Sequence, residues 1–199
     1  YRRIDNFVVD GVTVQQGQVV NGKTSFKNLI GYNVKGGANY NINENHNVFA
    51  NVGFYSKQPF MSAVYPNNQQ VVNPNLTNEK IFSAEVGYGF RSSKFNANLN
   101  LYRTEWRDRS ARIPNQTFVT ATGNVRGYSE INGITQVHMG VEVDATYKPV
   151  KFLELQGMFS YGDYRYKGNA TGADFDESNN PVVTTAGSTT LYLDQVKVG

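Results

Sequence analysis

The feature that most constrains the fold is an alternation of apolar and polar residues that recurs in six stretches of the sequence. In residues 95–101, FNANLNL, asparagine takes every second position and an apolar residue stands between each pair. Asparagine is a poor strand former, yet a period of two is the spacing of a β-strand with one apolar and one polar face. The alternation therefore predicts strands whose polar face is built largely from small amides, glycine and acids. The stretches are residues 32–42, 48–54, 81–91, 95 to about 107, 137–147 and 153–161.

The connections between these stretches are alternately short and long. Short segments rich in turn residues, at residues 43–46, 91–94 and 148–151, predict hairpins at about 31–57, 79–107 and 136–166. Long polar segments precede, separate or follow the hairpins, at residues 10–29, 57–78, 108–136 and 167–190. This order predicts an antiparallel meander with every tight turn at one end and every long loop at the other. Residues 1–9 are a further candidate strand with weaker alternation.

Composition excludes several classes of protein. The hydrophobic fraction is 39%, and no window approaches the roughly 18 consecutive apolar residues of a membrane helix. The absence of cysteine excludes a disulfide scaffold and a cysteine-ligated metal. The net charge of +3 arises from 19 basic and 16 acidic residues that are mixed along the chain, without the basic run of a nucleic-acid surface. A membrane β-barrel stays compatible, because its apolar residues are spread over alternate positions.

Strand length and aromatic placement favour such a barrel over a soluble sandwich, although alternation by itself fits both. The stretches run about 10 to 14 residues, whereas soluble strands centre on roughly 5 to 6 and tilted membrane strands need about 9 to 11. Many of the 13 Tyr and 12 Phe gather near both ends of the stretches, as in interfacial girdles. The predicted fold class is all-β, an antiparallel up-and-down transmembrane β-barrel segment with short periplasmic turns and long extracellular loops.

Several segments carry motifs of a known family. One is the asparagine–aromatic hairpin GGANYNINENHNVFANVGFYSKQPF, residues 36–60, and another is NPNLTNEKIFSAEVGYGF, residues 73–90. A strand that runs out to a surface loop follows at residues 96–109, NANLNLYRTEWRDR, and a hairpin with a tight turn at residues 140–155, GVEVDATYKPVKFLEL. The last segment, YLDQVKVG at 192–199, is similar to the start of a further strand. In this order the segments resemble the TonB-dependent outer-membrane receptors of Bacteroidetes-like bacteria.

The resemblance implies a barrel of many strands around an N-terminal plug, with residues 1–199 forming part of its wall. We expect the chain to be a piece of a longer protein, or a mature chain seen in part, without the plug and the segment that engages TonB. The implied function is TonB-powered import of a scarce nutrient, such as a siderophore or glycan, across the outer membrane. Two alternatives stay open: a passive porin-like barrel and a soluble all-β binding module.

The resemblance also implies the partners. These are the TonB complex, reached through the plug region, outer-membrane lipid and lipopolysaccharide, the small-molecule or oligomeric nutrient, and, as a further candidate, a surface lipoprotein. No nucleic acid, cofactor or catalytic activity is expected.

One cluster of residues leads into the long segment after residue 107 and is a candidate nutrient contact. Aromatic rings stack on ligand rings, and arginine grips carboxylate or phosphate groups. The competing interpretation, which the pattern favours, is an interfacial aromatic anchor beside arginines that face lipopolysaccharide or solvent. The candidate residues are Tyr102, Trp106, Arg107, Arg109 and Arg112.

Motifs for metal binding and catalysis are weak. The segment GADFDESNN places oxygen-bearing side chains at alternate positions, as in the first half of a calcium loop, but Asn179 stands where such a loop has glycine and Thr185 where it has glutamate. A solvated acidic loop is therefore expected. The two histidines, His46 and His138, lack partners at metal-binding spacing, and no G-x-S-x-G nucleophile motif is present.

Overall fold

The computed structural model describes residues 8–9, 12–13, 26, 28–65, 76–178 and 180–198. Within these residues the chain forms β-strands and one helical turn, α1 (Met61–Val64). No helix in this part of the chain has the length and apolar character needed to cross a membrane. The candidate strand at residues 1–9 lies outside the described residues except for Val8 and Val9, and much of the segments at 10–29 and 57–78 also lies outside them. The strands are β1 (Val8–Val9), β2 (Val12–Thr13), β3 (Tyr32–Asn41), β4 (His46–Lys57), β5 (Glu79–Arg91), β6 (Phe95–Thr120), β7 (Gly123–Val150), β8 (Leu153–Tyr166), β9 (Ala170–Asp176) and β10 (Thr190–Leu191).

Strands β3 to β8 form the predicted antiparallel meander, in which each strand pairs with the next along the chain. The connections at residues 42–45, 92–94 and 151–152 are tight turns. Strand β9 pairs with the outer part of β7, beyond the end of β8, and β10 pairs with β9. The all-β antiparallel fold is thus confirmed, and β1 and β2 form a separate small pair.

The two faces of the meander differ in chemistry as the alternation predicts. Directly opposed residues in antiparallel strands point to the same side, and Val86, Leu101 and Val141 stand opposite one another in register. They belong to an apolar face that remains open to the surroundings. Its exposed large side chains include Val34, Tyr40, Val48, Val52, Phe82, Val86, Tyr88, Leu99, Leu101, Met139, Tyr147, Leu155, Phe159 and Tyr161. A continuous exposed apolar surface of this extent suits lipid and not water.

The polar face explains why asparagine fills the strands. The side chain of Asn98 donates to the Asp144 carboxylate on β7 at 2.9 Å, and Asn51 donates to Glu85 on β5 at 3.2 Å. Short amides thus bridge to acids on the neighbouring strand without projecting far from the sheet. Cross-strand pairs of this kind supply stabilisation that the low strand propensity of asparagine does not.

The expectation of a long irregular loop at residues 108–136 was wrong. Strands β6 and β7 run for 26 and 28 residues and remain paired as far as Thr120 and Gly123. Register shifts interrupt the pairing at three places between Trp106 and Gln116. Each shift moves the following residues out of phase, so the alternation that marks a strand disappears from the sequence. Residues 109–134, here called the hairpin extension, continue the two strands beyond the meander.

The segment at 167–190, predicted as a loop, also carries ordered structure. Residues of β9 pair with Gly127–Ile131 of β7, and the segment around β10 packs on the hairpin extension. A small core joins these parts, here called the cap core, in which Ile131, Ile134 and Ala170 are buried against Ile113, Tyr166, Leu191 and Leu193. The apolar residues are too few and too scattered in the sequence to reveal this core, because it forms only when β9 pairs with β7.

Aromatic rings on the polar face occupy the space above glycines. At Gly140 a Cβ atom would lie 2.6 Å from the Tyr102 hydroxyl and 2.5 Å from the Tyr161 carbonyl oxygen, and at Gly87 it would lie 2.3 Å from the Phe49 ring. Both glycines stand directly opposite the aromatic residue on the next strand. The ring occupies the space that a side chain would take at the glycine and packs on its backbone. This arrangement offsets the loss of stability that glycine causes in a sheet.

We predict that Gly140→Ala destabilises the wall by about 1–3 kcal/mol, the usual cost of inserting a methyl group into a filled space. The backbone oxygen of Tyr161 cannot withdraw without disturbing the pairing of β7 with β8. The matched control is Gly157→Ala on β8, because a Cβ there meets nothing within 4 Å. Urea unfolding of the two refolded variants in lipid vesicles measures the difference, and equal stabilities would contradict the packing.

Candidate functional site

Four side chains meet on the polar face, near the end of the meander that carries the hairpin extension. The rings of Trp106 and His138 stack with centroids 5.7 Å apart, and His138 stacks on Tyr164 at 4.6 Å. The hydroxyls of Tyr164 and Tyr102 lie 2.8 Å apart. The register accounts for this meeting, since His138 stands opposite Thr104 on β6 and Tyr164 on β8. We call Tyr102, Trp106, His138 and Tyr164 the aromatic cluster.

Arg109 borders the aromatic cluster because of a bulge. Its guanidinium carbon lies 5.0 Å from the centre of the Trp106 ring, and it donates a hydrogen bond to the Gln136 side-chain oxygen. In an uninterrupted strand Arg107 and Arg109 would share a face. The register shift after Trp106, with Asp108 at a φ of 55°, sends Arg109 to the polar side. A cation thus lies against the electron-rich face of the indole.

Three buried nitrogens around the aromatic cluster have no hydrogen-bond partner among the described residues. They are Nε1 of Trp106, Nε of Arg109 and Nε2 of His138. Buried polar atoms are nearly always hydrogen-bonded, and the first two of these are obligatory donors. Nε of Arg109 also lies 3.9 Å from Glu79 Oε1, so this cation is paired with an acid. The cluster therefore combines ring surfaces with an arginine, which suits a ligand that carries rings and acceptor oxygens.

The structure divides the five candidates from the sequence into three groups. Tyr102, Trp106 and Arg109 come together at the aromatic cluster. Arg107 points to the opposite, apolar face and bonds there to Glu105 at 2.6 Å. Arg112 lies in the hairpin extension, with its guanidinium carbon 3.8 Å from the centre of the Tyr128 ring.

Sequence reasoning missed His138, Gln136 and Tyr164 as members of the site. The parity of the alternation places His138 on the polar face, and this is the only signal that the sequence carries. Gln136 and Tyr164 reach Trp106 and His138 only through the register of three strands.

Side chains of the hairpin extension pack closely around Tyr128. Tyr128 is buried between the Phe175 ring, stacked at 5.4 Å, and the Arg112 guanidinium. Burial raises the pKa of Tyr128 to about 12, with the nearby Glu130 carboxylate adding to the effect. Burial also raises the pKa of Glu130, against the pull of Arg112. The Tyr128 phenol therefore remains neutral at physiological pH and serves packing.

The calcium-like segment uses its oxygens within the protein. The buried Asp174 carboxylate accepts hydrogen bonds from Ser129 Oγ at 2.6 Å and Thr189 Oγ1 at 2.7 Å. Asp176 accepts from the backbone nitrogens of Ser178 and Asn180, both at 2.8 Å. Burial alone would raise the pKa of Asp176. The hydrogen bond that the Asn180 side chain donates at 2.9 Å, together with the two backbone bonds, outweighs burial and holds the pKa below its ordinary value. Within the described part of the chain, no group of three His, Asp or Glu residues is arranged to hold a metal ion.

Comparison with known proteins identifies the family. The family model described as TonB dependent receptor-like, beta-barrel matches residues 1–195. No curated protein and no solved structure matches the chain. The match covers nearly the whole chain and agrees with the long antiparallel strands, the exposed apolar face and the tight turns at one end. The chain therefore belongs to the TonB-dependent receptor-like β-barrel family, a family of outer-membrane receptors.

Proposed function

We propose that this chain forms part of the wall of an outer-membrane receptor that binds a scarce nutrient at the cell surface and imports it with TonB-derived energy. The observation that carries the proposal is the contrast between the two faces of one sheet. The apolar face is exposed and contacts lipid. The opposite face, with its amide–carboxylate pairs and its aromatic cluster, lines the interior of the barrel.

The aromatic cluster and Arg109 contact the nutrient in this proposal. Trp106 and Tyr102 offer ring edges and faces, Arg109 attracts an anionic or acceptor-rich group, and His138 completes the stack. Arg112 stays a candidate contact from the hairpin extension. For Arg107, which lies on the other side of the sheet, a nutrient contact stays a prediction without support from the geometry.

The proposal extends to location and partners. The receptor resides in the outer membrane, and residues 1–199 belong to its barrel domain. TonB acts on the receptor through a plug region. A surface lipoprotein is a candidate partner that covers the extracellular end of the barrel. The chain is assigned no catalytic step and no cofactor.

The function is tested on the full receptor purified in detergent. A panel of ferric siderophores, oligosaccharides and peptides is titrated against it, and the compound that binds is retained. We expect Trp106→Ala with Arg109→Gln to weaken binding of that compound at least about fivefold, because two contacts worth about 0.5–2 kcal/mol each are lost. The matched control is Tyr161→Ala, an aromatic truncation on the apolar face, which should bind within twofold of the wild type.

Uptake separates the proposal from its alternatives. Accumulation of the same compound should cease in cells that lack TonB. Undiminished uptake in those cells would indicate a passive barrel, and recovery of the protein in a soluble fraction would indicate a binding module. Equal binding by the Trp106/Arg109 variant and the wild type would show that the nutrient binds somewhere other than the aromatic cluster.

A further inference from the structure

The bulge that turns Arg109 toward the aromatic cluster lies where the pairing of β6 with β5 ends. Two residues of β6, Arg107 and Asp108, face the single Thr135 of β7, which is the arrangement of a β-bulge. On its other side β6 is paired with β5 only as far as Arg107, which stands opposite Lys80. Beyond that pair, side chains of β5 reach the bulge.

Two consecutive residues of β5, Glu79 and Lys80, contact the bulge from opposite faces of the sheet. On the outer, apolar face Lys80 Nζ lies 2.8 Å from Asp108 Oδ2. On the polar face Glu79 Oε1 lies 3.9 Å from Nε of Arg109. The second carboxylate oxygen of Glu79, Oε2, accepts a hydrogen bond from Lys57 at 3.1 Å. Each charged residue of the bulge step, Asp108 and Arg109, therefore has an oppositely charged neighbour on β5.

The order of these charges favours the bulge over a regular strand. If the register continued without a shift, Asp108 would stand directly opposite Glu79, and like charges in that position destabilise a sheet. Arg109 would then share the outer face with Arg107 and Lys80. The shift brings Asp108 to Lys80 on the outer face instead, and it brings Arg109 to the polar face. Aspartate tolerates the φ of 55° at this position because it enters the left-handed region more readily than most residues.

Lys80 lies outside the nutrient site itself. Its side chain is 49% exposed on the outer face, and the sheet lies between it and the aromatic cluster. Arg109 is on the other side, with its guanidinium carbon 5.0 Å from the centre of the Trp106 ring and a hydrogen bond to Gln136. An effect of Lys80 on the site must therefore pass through Asp108 and the backbone of the bulge.

We propose that Lys80 is a positioning residue of the nutrient site, because its ion pair with Asp108 holds the bulge in the form that places Arg109 against the aromatic cluster. The inference rests on the proposed function in one respect, that Arg109 contacts the nutrient. When the pair is removed, Asp108 loses its partner on β5 and the bulge relaxes. The Arg109 guanidinium then spends less time beside Trp106 and contributes less to binding.

The first measurement follows the fluorescence of Trp106 in the full receptor in detergent, without nutrient. Trp106 is the only tryptophan of this chain, and its emission is isolated by subtracting the spectrum of the matching Trp106→Phe protein. A fixed positive charge beside an indole shifts the emission maximum through its electric field. We expect Lys80→Gln to shift the maximum in the same direction as Arg109→Gln. The conservative variant Lys80→Arg keeps the ion pair and should leave the maximum unchanged.

The matched control removes a cation from another ion pair of the outer face. Arg165 lies 2.9 Å from Asp163 and is 39% exposed, so Arg165→Gln also leaves an outer-face acid without its base. It should not move the emission of Trp106. A second variant, Asp108→Asn, tolerates the same backbone conformation but lacks the charge, and it should reproduce the shift of Lys80→Gln. Wild-type emission in both Lys80→Gln and Asp108→Asn would overturn the inference.

The second measurement distinguishes positioning from a general loss of stability. The compound retained from the panel of ferric siderophores, oligosaccharides and peptides is titrated against single and double variants. Lys80→Gln should weaken its binding at least about twofold. In the Arg109→Gln background the same substitution should have no further effect, because the group that Lys80 positions is already gone. Equal losses in the two backgrounds would show that Lys80 acts independently of Arg109 and would refute the inference.

The proposed function is tested separately by the same proteins. If Trp106→Ala with Arg109→Gln weakens binding, yet Lys80→Gln changes neither the emission nor the affinity, only the positioning role of Lys80 is refuted. If Arg109→Gln binds the compound as tightly as the wild type, the nutrient contact of Arg109 is refuted. The emission of Trp106 still shows in that case whether Lys80 holds Arg109 in place.

Discussion

Replacing Leu99 with arginine is expected to destabilise the folded wall by about 2–4 kcal/mol, the cost of a basic side chain near the bilayer midplane of a membrane barrel. Leu99 is 38% exposed on the apolar face, and Tyr88 and Val143 stand opposite it on the two neighbouring strands. An arginine there is surrounded by apolar side chains and lipid, without an acid in its own register row to pair with. Urea unfolding of the protein refolded into lipid vesicles measures the change.

The adjacent residue provides the control. Asn98 lies on the other face, where its side chain donates to Asp144 at 2.9 Å. An arginine at position 98 meets a carboxylate in polar surroundings, so Asn98→Arg should cost far less than Leu99→Arg. The two variants add the same charge one residue apart, on opposite faces of the sheet. Equal costs would refute the assignment of the faces.

Truncation of the cap core is the second change with a large expected effect. Ile131 is 0% exposed and packs with Ile134 and Ala170. Removing three carbon atoms from such a site typically costs about 2–5 kcal/mol, through lost burial and the cavity that remains. We expect Ile131→Ala to loosen the contact between the hairpin extension and β9, because the cap core is small and Ile131 is its most buried member.

Hydrogen exchange is the measurement that resolves this effect. Amides of the hairpin extension and β9 should lose protection in Ile131→Ala, while those of β3 to β5 should keep it, because the meander does not depend on the cap core. Val119→Ala is the control, since Val119 belongs to the same hairpin and is 59% exposed. Loss of protection throughout the sheet would show instead that the wall and the cap core unfold together.

The sequence by itself determined the class of fold and the two faces of the wall. Asn98 and Leu99 are adjacent in a strand and must lie on opposite faces of the sheet, because successive side chains of a strand point to alternate faces. Short turn-rich connections then fix which strands pair, since a tight turn joins antiparallel neighbours only. Local chemistry is enough for both conclusions.

The tertiary structure alone decided the site and the outer part of the chain. Arg107 and Arg109 have the same parity in the sequence, and only the bulge at Asp108 places Arg107 beside Glu105 on the apolar face and Arg109 beside Trp106 on the polar face. His138 reaches Trp106 through a pairing register between residues some thirty positions apart. The hairpin extension escaped prediction for the same reason, since three register shifts erase the alternation while leaving the hydrogen bonds between β6 and β7 in place. The pairing register and the β-bulges depend also on the partner strand, so the sequence of one strand does not determine them.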